Sequence, residues 1–207
     1  MKKLVLGMAL VGSILGATTS AVSAATTTNG DVTFKPGTVT VDPDPSNPDP
    51  SNPNANATAA DLNFGLNEIT DKDVTLNNTY AAAHINVNDL TGTTTSTWNL
   101  TVAQDAQFKS VKDAKELTNA ALTLNAAKDT TASTSGAVDV TASSVLVPGA
   151  DKKPAAPVNV VGAKDGNGNG KTQATIAGST LAVPGATVKV SDNYKTTLTW
   201  DLADVVA

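Results

Sequence analysis

The chain has no cysteine, no arginine, one histidine and only seven aromatic residues in 207. Without cysteine there is no disulfide, no thiolate metal site and no N-terminal lipid anchor of the lipoprotein kind. With His84 alone, no zinc set can be assembled either. Fourteen lysines supply every positive charge against nineteen acids, for a net charge of −5. A nucleic-acid partner would ask for a basic stripe with guanidinium forks, and an anionic membrane for a polybasic cluster, so both classes are disfavoured. The acids are seventeen aspartates with Glu68 and Glu116, mostly in turns or in a proline-rich run, where solvated charge is the ordinary reading. No nucleophile elbow accompanies His84, and no cofactor motif occurs, so the sequence reads as non-enzymatic and without cofactor or metal.

Long hydrophobic runs are also missing, with one exception at the N-terminus. Lys2 and Lys3 precede an apolar stretch from Leu4 to Leu15, and Val22-Ser23-Ala24 offers a small-residue cleavage site. About a dozen apolar residues are too few to cross a bilayer, which needs roughly 20, so residues 1–24 read as a signal peptide and the protein as secreted. Export without disulfides is common in Gram-positive bacteria. No hydrophobic tail or sorting pentapeptide ends the sequence, which leaves free diffusion or non-covalent retention at the cell surface.

Residues 25–40 hold one short strand or hairpin, with Val32, Phe34, Val39 and Val41 as apolar positions. Residues 41–59 follow as a linker, VDPDPSNPDPSNPN with its flank. Proline biases such a run to polyproline II, and fourteen residues at about 3.1 Å each reach roughly 43 Å. From residue 60 to 207 the pattern is of short alternating strands: Leu62–Phe64, Val74–Leu76, Ile85 and Val87, Leu122–Leu124, Ala137–Val140, Ser144–Val147, Val158–Val161, Ala174–Ala177 and Val188–Val190. Asn-Gly and Pro-Gly steps punctuate them. Only Asp113–Leu122 has helical propensity, predicting at most one short helix. The expected fold is all-β, an antiparallel sandwich or barrel-like domain of many short strands.

The two tryptophans stand in similar settings, TSTWNLTV around Trp98 and YKTTLTWDL from Tyr194 to Leu202. Period two puts Trp98, Leu100 and Val102 on one face and Thr97, Asn99 and Thr101 on the other. Leu198, Trp200 and Leu202 likewise oppose Thr199 and Asp201. Each Trp could be a core anchor or a shelf on which a sugar ring stacks. Trp200 reads first as a core anchor. Trp98 stays open between the two, because its strand has a polar face suited to glycan hydroxyls. DGNGNG, Asp165 to Gly170, matches the first half of a calcium loop, but the closing acid would fall at Ile176, so a hairpin turn is the reading adopted.

Trp98-Asn99-Leu100 and the distal Tyr194, Leu198, Thr199, Trp200, Asp201 and Leu202 together resemble the proximal and distal motifs of the WxL-domain family of Gram-positive surface proteins. LNFGLNEI, Leu62 to Ile69, is similar to that family's opening Phe-Gly stretch, and LAVPGATVK, Leu181 to Lys189, to the segment before its distal motif. The resemblance covers residues 60–207. It implies non-covalent attachment to the cell wall, with peptidoglycan as ligand and these motif residues as the binding set. It also implies assembly with other surface proteins, a membrane-anchored partner among them, and a part in adhesion. The alternative is a structural or adhesive subunit whose direct ligand is another protein. Mass spectrometry of the secreted form should find a chain that starts at Ala25; an intact N-terminus in the membrane fraction would overturn the export reading.

Overall fold

The computed structural model describes residues 32, 34–42, 60–150 and 155–205. The expected signal peptide, residues 1–24, and the proline-rich run after Asp42 lie outside the described residues. Two compact units divide the chain between Phe34 and Lys35, and every described strand belongs to the second. In chain order the strands are β1 (Val39–Asp42), β2 (Val74–Asn77), β3 (His84–Asp89), β4 (Thr97–Gln104), β5 (Lys109–Ser110), β6 (Ala121–Leu124) and β7 (Ala127–Lys128). They continue with β8 (Asp139–Val140), β9 (Ser144–Leu146), β10 (Val158–Ala163), β11 (Gly170–Thr175), β12 (Thr180–Val183), β13 (Tyr194–Lys195) and β14 (Leu198–Val205).

The described strands form three four-stranded sheets, in the orders β1-β3-β11-β7, β14-β4-β10-β8 and β2-β12-β6-β9, and the short pair β13-β5. Every ladder is antiparallel. The expected all-β antiparallel architecture is the one the chain adopts. Alternation explains it: Ile85 and Val87 of β3, Leu122 and Leu124 of β6, and Leu181 and Val183 of β12 are buried, while their neighbours in sequence are less so. These faces meet Trp98, Leu100 and Val102 of β4 and Val160 and Val161 of β10 in one continuous core. Each fully buried Leu or Val contributes about 1.5–3 kcal/mol through apolar area removed from water.

Three local expectations differ from the structure. No helix forms over 113–122, where Ala114 and Asn119 take positive φ of 52° and 61°, which no α-helix accommodates. The segment instead turns back on β5, with Ser110 N–H donating to Lys115 C=O, Leu117 N–H to Phe108 C=O, and Lys109 paired with Glu116 at 3.0 Å. Burying Leu117, Ala120 and Leu122 outweighs a modest helical propensity. Leu62–Phe64 alternates in burial but joins no ladder, and Val188–Val190 is irregular.

The centre of the fold is Trp98, 1% exposed. Its indole lies under the loop that joins β10 to β11. A Cβ on Gly168 of that loop would fall 2.3 Å from Trp98 Nε1 and 2.7 Å from Ala163 Cβ, so only glycine fits there. Asp165, Gly166 and Gly170 turn the loop through positive φ, and Gly166 N–H donates to Ser96 C=O at 2.9 Å. Asn169 Nδ2 donates to Thr93 C=O at 2.7 Å.

Beside the indole sits buried Asp89, 1% exposed, whose carboxylate accepts from Thr91 N–H (3.1 Å), Thr91 Oγ1 (2.7 Å) and Ser96 Oγ (2.8 Å). Burial alone would raise this carboxyl's pKa. The bonds from Thr91 and Ser96 outweigh it, helped by the Trp98 N–H, which lies near but outside hydrogen-bond geometry, and the group is held below its ordinary value.

Trp98→Ala should cost about 3–5 kcal/mol in urea unfolding. Gly168→Ala should cost about 1–3 kcal/mol by overpacking the same indole; a Gly168→Ala chain as stable as the parent would contradict the packing. A carboxylate whose folded-state pKa is depressed stabilises the fold above its unfolded value, near pH 4, and that stability is lost as pH falls through the folded value. Thermal melts taken from neutral to strongly acid pH should show a fall below about pH 4 that is shallower in Asp89→Asn. Parallel curves for the two proteins would remove Asp89 from the acid response.

Candidate functional site

The two tryptophan motifs lie on neighbouring strands. β14 pairs with β4 over all eight of its residues without a shift in register, from Leu198 opposite Gln104 to Val205 opposite Thr97. Trp200 stands opposite Val102 and Leu202 opposite Leu100, so Leu198, Trp200 and Leu202 share a sheet face with Trp98, Leu100 and Val102. Their depths differ because their strands differ in place. β4 runs between β14 and β10, whereas β14 is the edge. Trp98, Leu100 and Val102 are therefore buried, while Leu198, Trp200 and Leu202 are only partly so. Trp98, not Trp200, is the deep core anchor, and Trp200 is only partly covered.

The polar residues of both motifs lie on the opposite face, away from Trp200. Asn99 Nδ2 donates to Asn159 Oδ1 on β10 at 2.7 Å, and Thr199 Oγ1 to Asp105 Oδ1 at 2.7 Å. Thr101 Oγ1 reaches the Asp201 carbonyl at 3.3 Å. Asn99 also walls a shallow depression of about 340 Å³ with Asp139, Thr141 and Asn159. Its floor is Gly162, where a Cβ would come within 2.9 Å of Asn99 Oδ1.

On the inner side, Leu198 and Trp200 open onto a much larger cleft of about 1670 Å³. Phe64, Tyr80, Phe108 and Tyr194 line it with Trp200, so five of the seven aromatics in the chain converge there. Phe64 and Phe108 meet edge to face, with centroids 6.3 Å apart and planes at 75°. One wall is the irregular segment from Ala60 to Thr70. It is tied to the end of β2 by Asn63 N–H donating to Asn78 Oδ1 (2.8 Å) and Thr79 N–H to Asn63 C=O (2.6 Å). Gly65 turns this wall at φ 73°, which accounts for the glycine after Phe64. Leu66 and Ile69 of the same segment are exposed.

The facing wall comes from the chain before β14. Tyr194 Oη accepts from Val190 N–H at 2.8 Å, fixing its ring. Lys189 Nζ donates to the Thr70, Pro184 and Thr187 carbonyls at 3.1 Å each, pinning the two walls together. Asp192 accepts from Lys112 N–H at 2.7 Å, and this bond holds its carboxyl below the ordinary value. Asn67, Asn193, Thr79 and Thr196 add amides and hydroxyls around the rings. Chemically the cleft offers stacking surfaces with hydrogen-bonding groups beside them.

Of the residues singled out from sequence, Tyr194, Leu198 and Trp200 come together in this cleft. Leu202 lies on the same face further along β14, Trp98 and Leu100 are in the core, and Asn99, Thr199 and Asp201 are on the outer face. Phe64, Tyr80 and Phe108 were not singled out as site residues, although Phe64 lay within the noted Phe-Gly stretch. The calcium-like loop is the cover of Trp98, and Ile176 is fully buried. Among the described residues, no three His, Cys, Asp or Glu side chains come together as metal ligands would.

A family model described as WxL domain, surface cell wall-binding, matches residues 21–205, most of the chain. No curated protein matches, and no solved structure does. With both Trp-x-Leu motifs on one ladder and that match across the fold, the chain belongs to the WxL-domain family of cell-wall-binding surface proteins.

Proposed function

We propose that this cell-surface protein is held non-covalently to the wall by peptidoglycan bound in the aromatic cleft, with Trp200 and Tyr194 as stacking surfaces. The observation that carries the reading is the convergence of five aromatics, from positions far apart in the sequence, on one open cleft. Of these five, Tyr80 and Phe108 are buried in the core at the base of the cleft, while Phe64, Tyr194 and Trp200 remain partly exposed along it. Sugar rings present flat C–H faces that stack on such side chains, and the acetamido and peptide groups of peptidoglycan can meet Asn67, Asn193 and Thr196. Net negative charge argues against bulk attraction to anionic wall polymers, so the contact is short-range and specific. The role is binding rather than catalysis. Assembly with further surface proteins, including a membrane-anchored one, and adhesion through that assembly belong to the same proposal.

Purified sacculi test it by co-sedimentation. Trp200→Ala should lose about tenfold or more in affinity, equivalent to about 1.4 kcal/mol, while keeping a cooperative melt. Asp139→Asn, in the outer depression, should sediment like the parent. A Trp200→Ala protein that binds sacculi as the parent does would sink the cleft as the wall site, and release of soluble sugar from the sacculi would show catalysis instead.

A further inference from the structure

β14 is an edge strand unlike the others. The remaining edges of the four-stranded sheets are β1, β2, β7, β8 and β9, of two to four residues each, whereas β14 has eight. Its ladder to β4 is regular throughout, with no bulge to twist it away. Its sequence, LTWDLADV, contains neither proline nor lysine, the residues that commonly blunt an open edge.

Asp105 N–H donates to Thr197 C=O, and Thr101 Oγ1 reaches Asp201 C=O, so the odd-numbered residues 197 to 203 turn their groups toward β4. Gln104, opposite Leu198, turns its carbonyl the other way, to Gly149 N–H at 2.9 Å. Antiparallel alternation then points the N–H and C=O of Leu198, Trp200, Leu202 and Asp204 away from the sheet. Among the described residues no strand pairs with them.

We infer that this edge receives an extended segment of a partner protein by strand addition, with lysine or arginine on its outer face and apolar residues on its inner face. Leu198, Trp200 and Leu202 leave partly open apolar surface on the inner side of the edge. On the outer side the acids are Asp201, on the strand itself, and Asp105, bonded to Thr199. A basic strand complements them. A second copy of this chain does not: self-pairing would set the aspartates of two acidic edges in one ladder, with no cation on β14 to offset them. Main-chain bonds supply the affinity, and alternate side chains the selectivity. The wall reading rests on ring faces in the cleft and this one on main-chain groups, so either can fail without the other.

Amide hydrogen exchange on the full chain, read residue by residue by NMR, tests it with two synthetic ten-residue peptides. Both alternate Val and Thr, one with Lys and the other with Glu at its central outward position. In the dilute free protein, the amides of Leu198, Trp200 and Leu202 should exchange about tenfold or more faster than those of Thr199, Asp201 and Ala203. The Lys peptide should slow the first set and leave the second unchanged. The Glu peptide should bind several-fold more weakly, and Asp201→Lys should reverse that preference, with the protected set reporting that the variant is folded. Outward amides already protected in the dilute protein would show the edge is covered by the chain itself and overturn the inference. Protection that grows with protein concentration alone would make a second copy the occupant, and no protection by the Lys peptide, or equal binding of both peptides, would also overturn it.

Discussion

The contact between the Trp98 indole and Gly168 is the constraint from which the rest of the domain can be understood. β10 belongs to the sheet that holds β4, and β11 to the sheet that holds β3, so the loop between β10 and β11 passes from one sheet to the other over this ring. The indole therefore sits at a seam. The absent side chain at 168 lets the loop close on it. Asp89, at the end of β3, is drawn into the same seam by Thr91 and Ser96. A buried carboxylate would be costly alone; three hydrogen bonds turn it into a clasp for the β3–β4 connection.

With β4 fixed in this way, β14 has a rigid neighbour to pair with along its whole length. That division of labour accounts for the repetition of the Trp-x-Leu pattern. The proximal copy is spent on the core. The distal copy, one strand further out, has the same inward face but no strand beyond it, so Leu198 and Trp200 reach the cleft where the other aromatics gather. The proposed wall contact thus falls on the strand that the first motif holds in position.

Much of the fold was legible because strand alternation is a direct record of one buried face. β2, β3, β6 and β10 fall where alternating Val, Leu and Ile placed them. Periodicity gives the face but not the depth, and this is why the relative burial of the tryptophans came out opposite to expectation: TWNL and TWDL look alike, and only the sheet order makes one central and the other marginal. Asp113–Leu122 had local helical propensity, but burial of Leu117 and Ala120 is a long-range demand that no local pattern records. The glycines of DGNGNG showed a turn, and nothing local could show that Gly168 faces Trp98, seventy positions earlier. The cleft was the least legible feature, since Phe64, Tyr80, Phe108, Tyr194 and Trp200 are brought together by topology alone.

The separation of roles between the two tryptophans is open to one direct measurement. Trp98→Phe and Trp200→Phe leave a single indole each, and its fluorescence can be followed with a neutral quencher and with soluble muropeptide oligomers. The remaining Trp98 should resist the quencher and ignore the oligomers, while the remaining Trp200 should be quenched freely and become shielded as the oligomers bind. A Trp98 that responds to muropeptides, or a Trp200 that does not, would contradict the assignment of one tryptophan to the fold and the other to the wall.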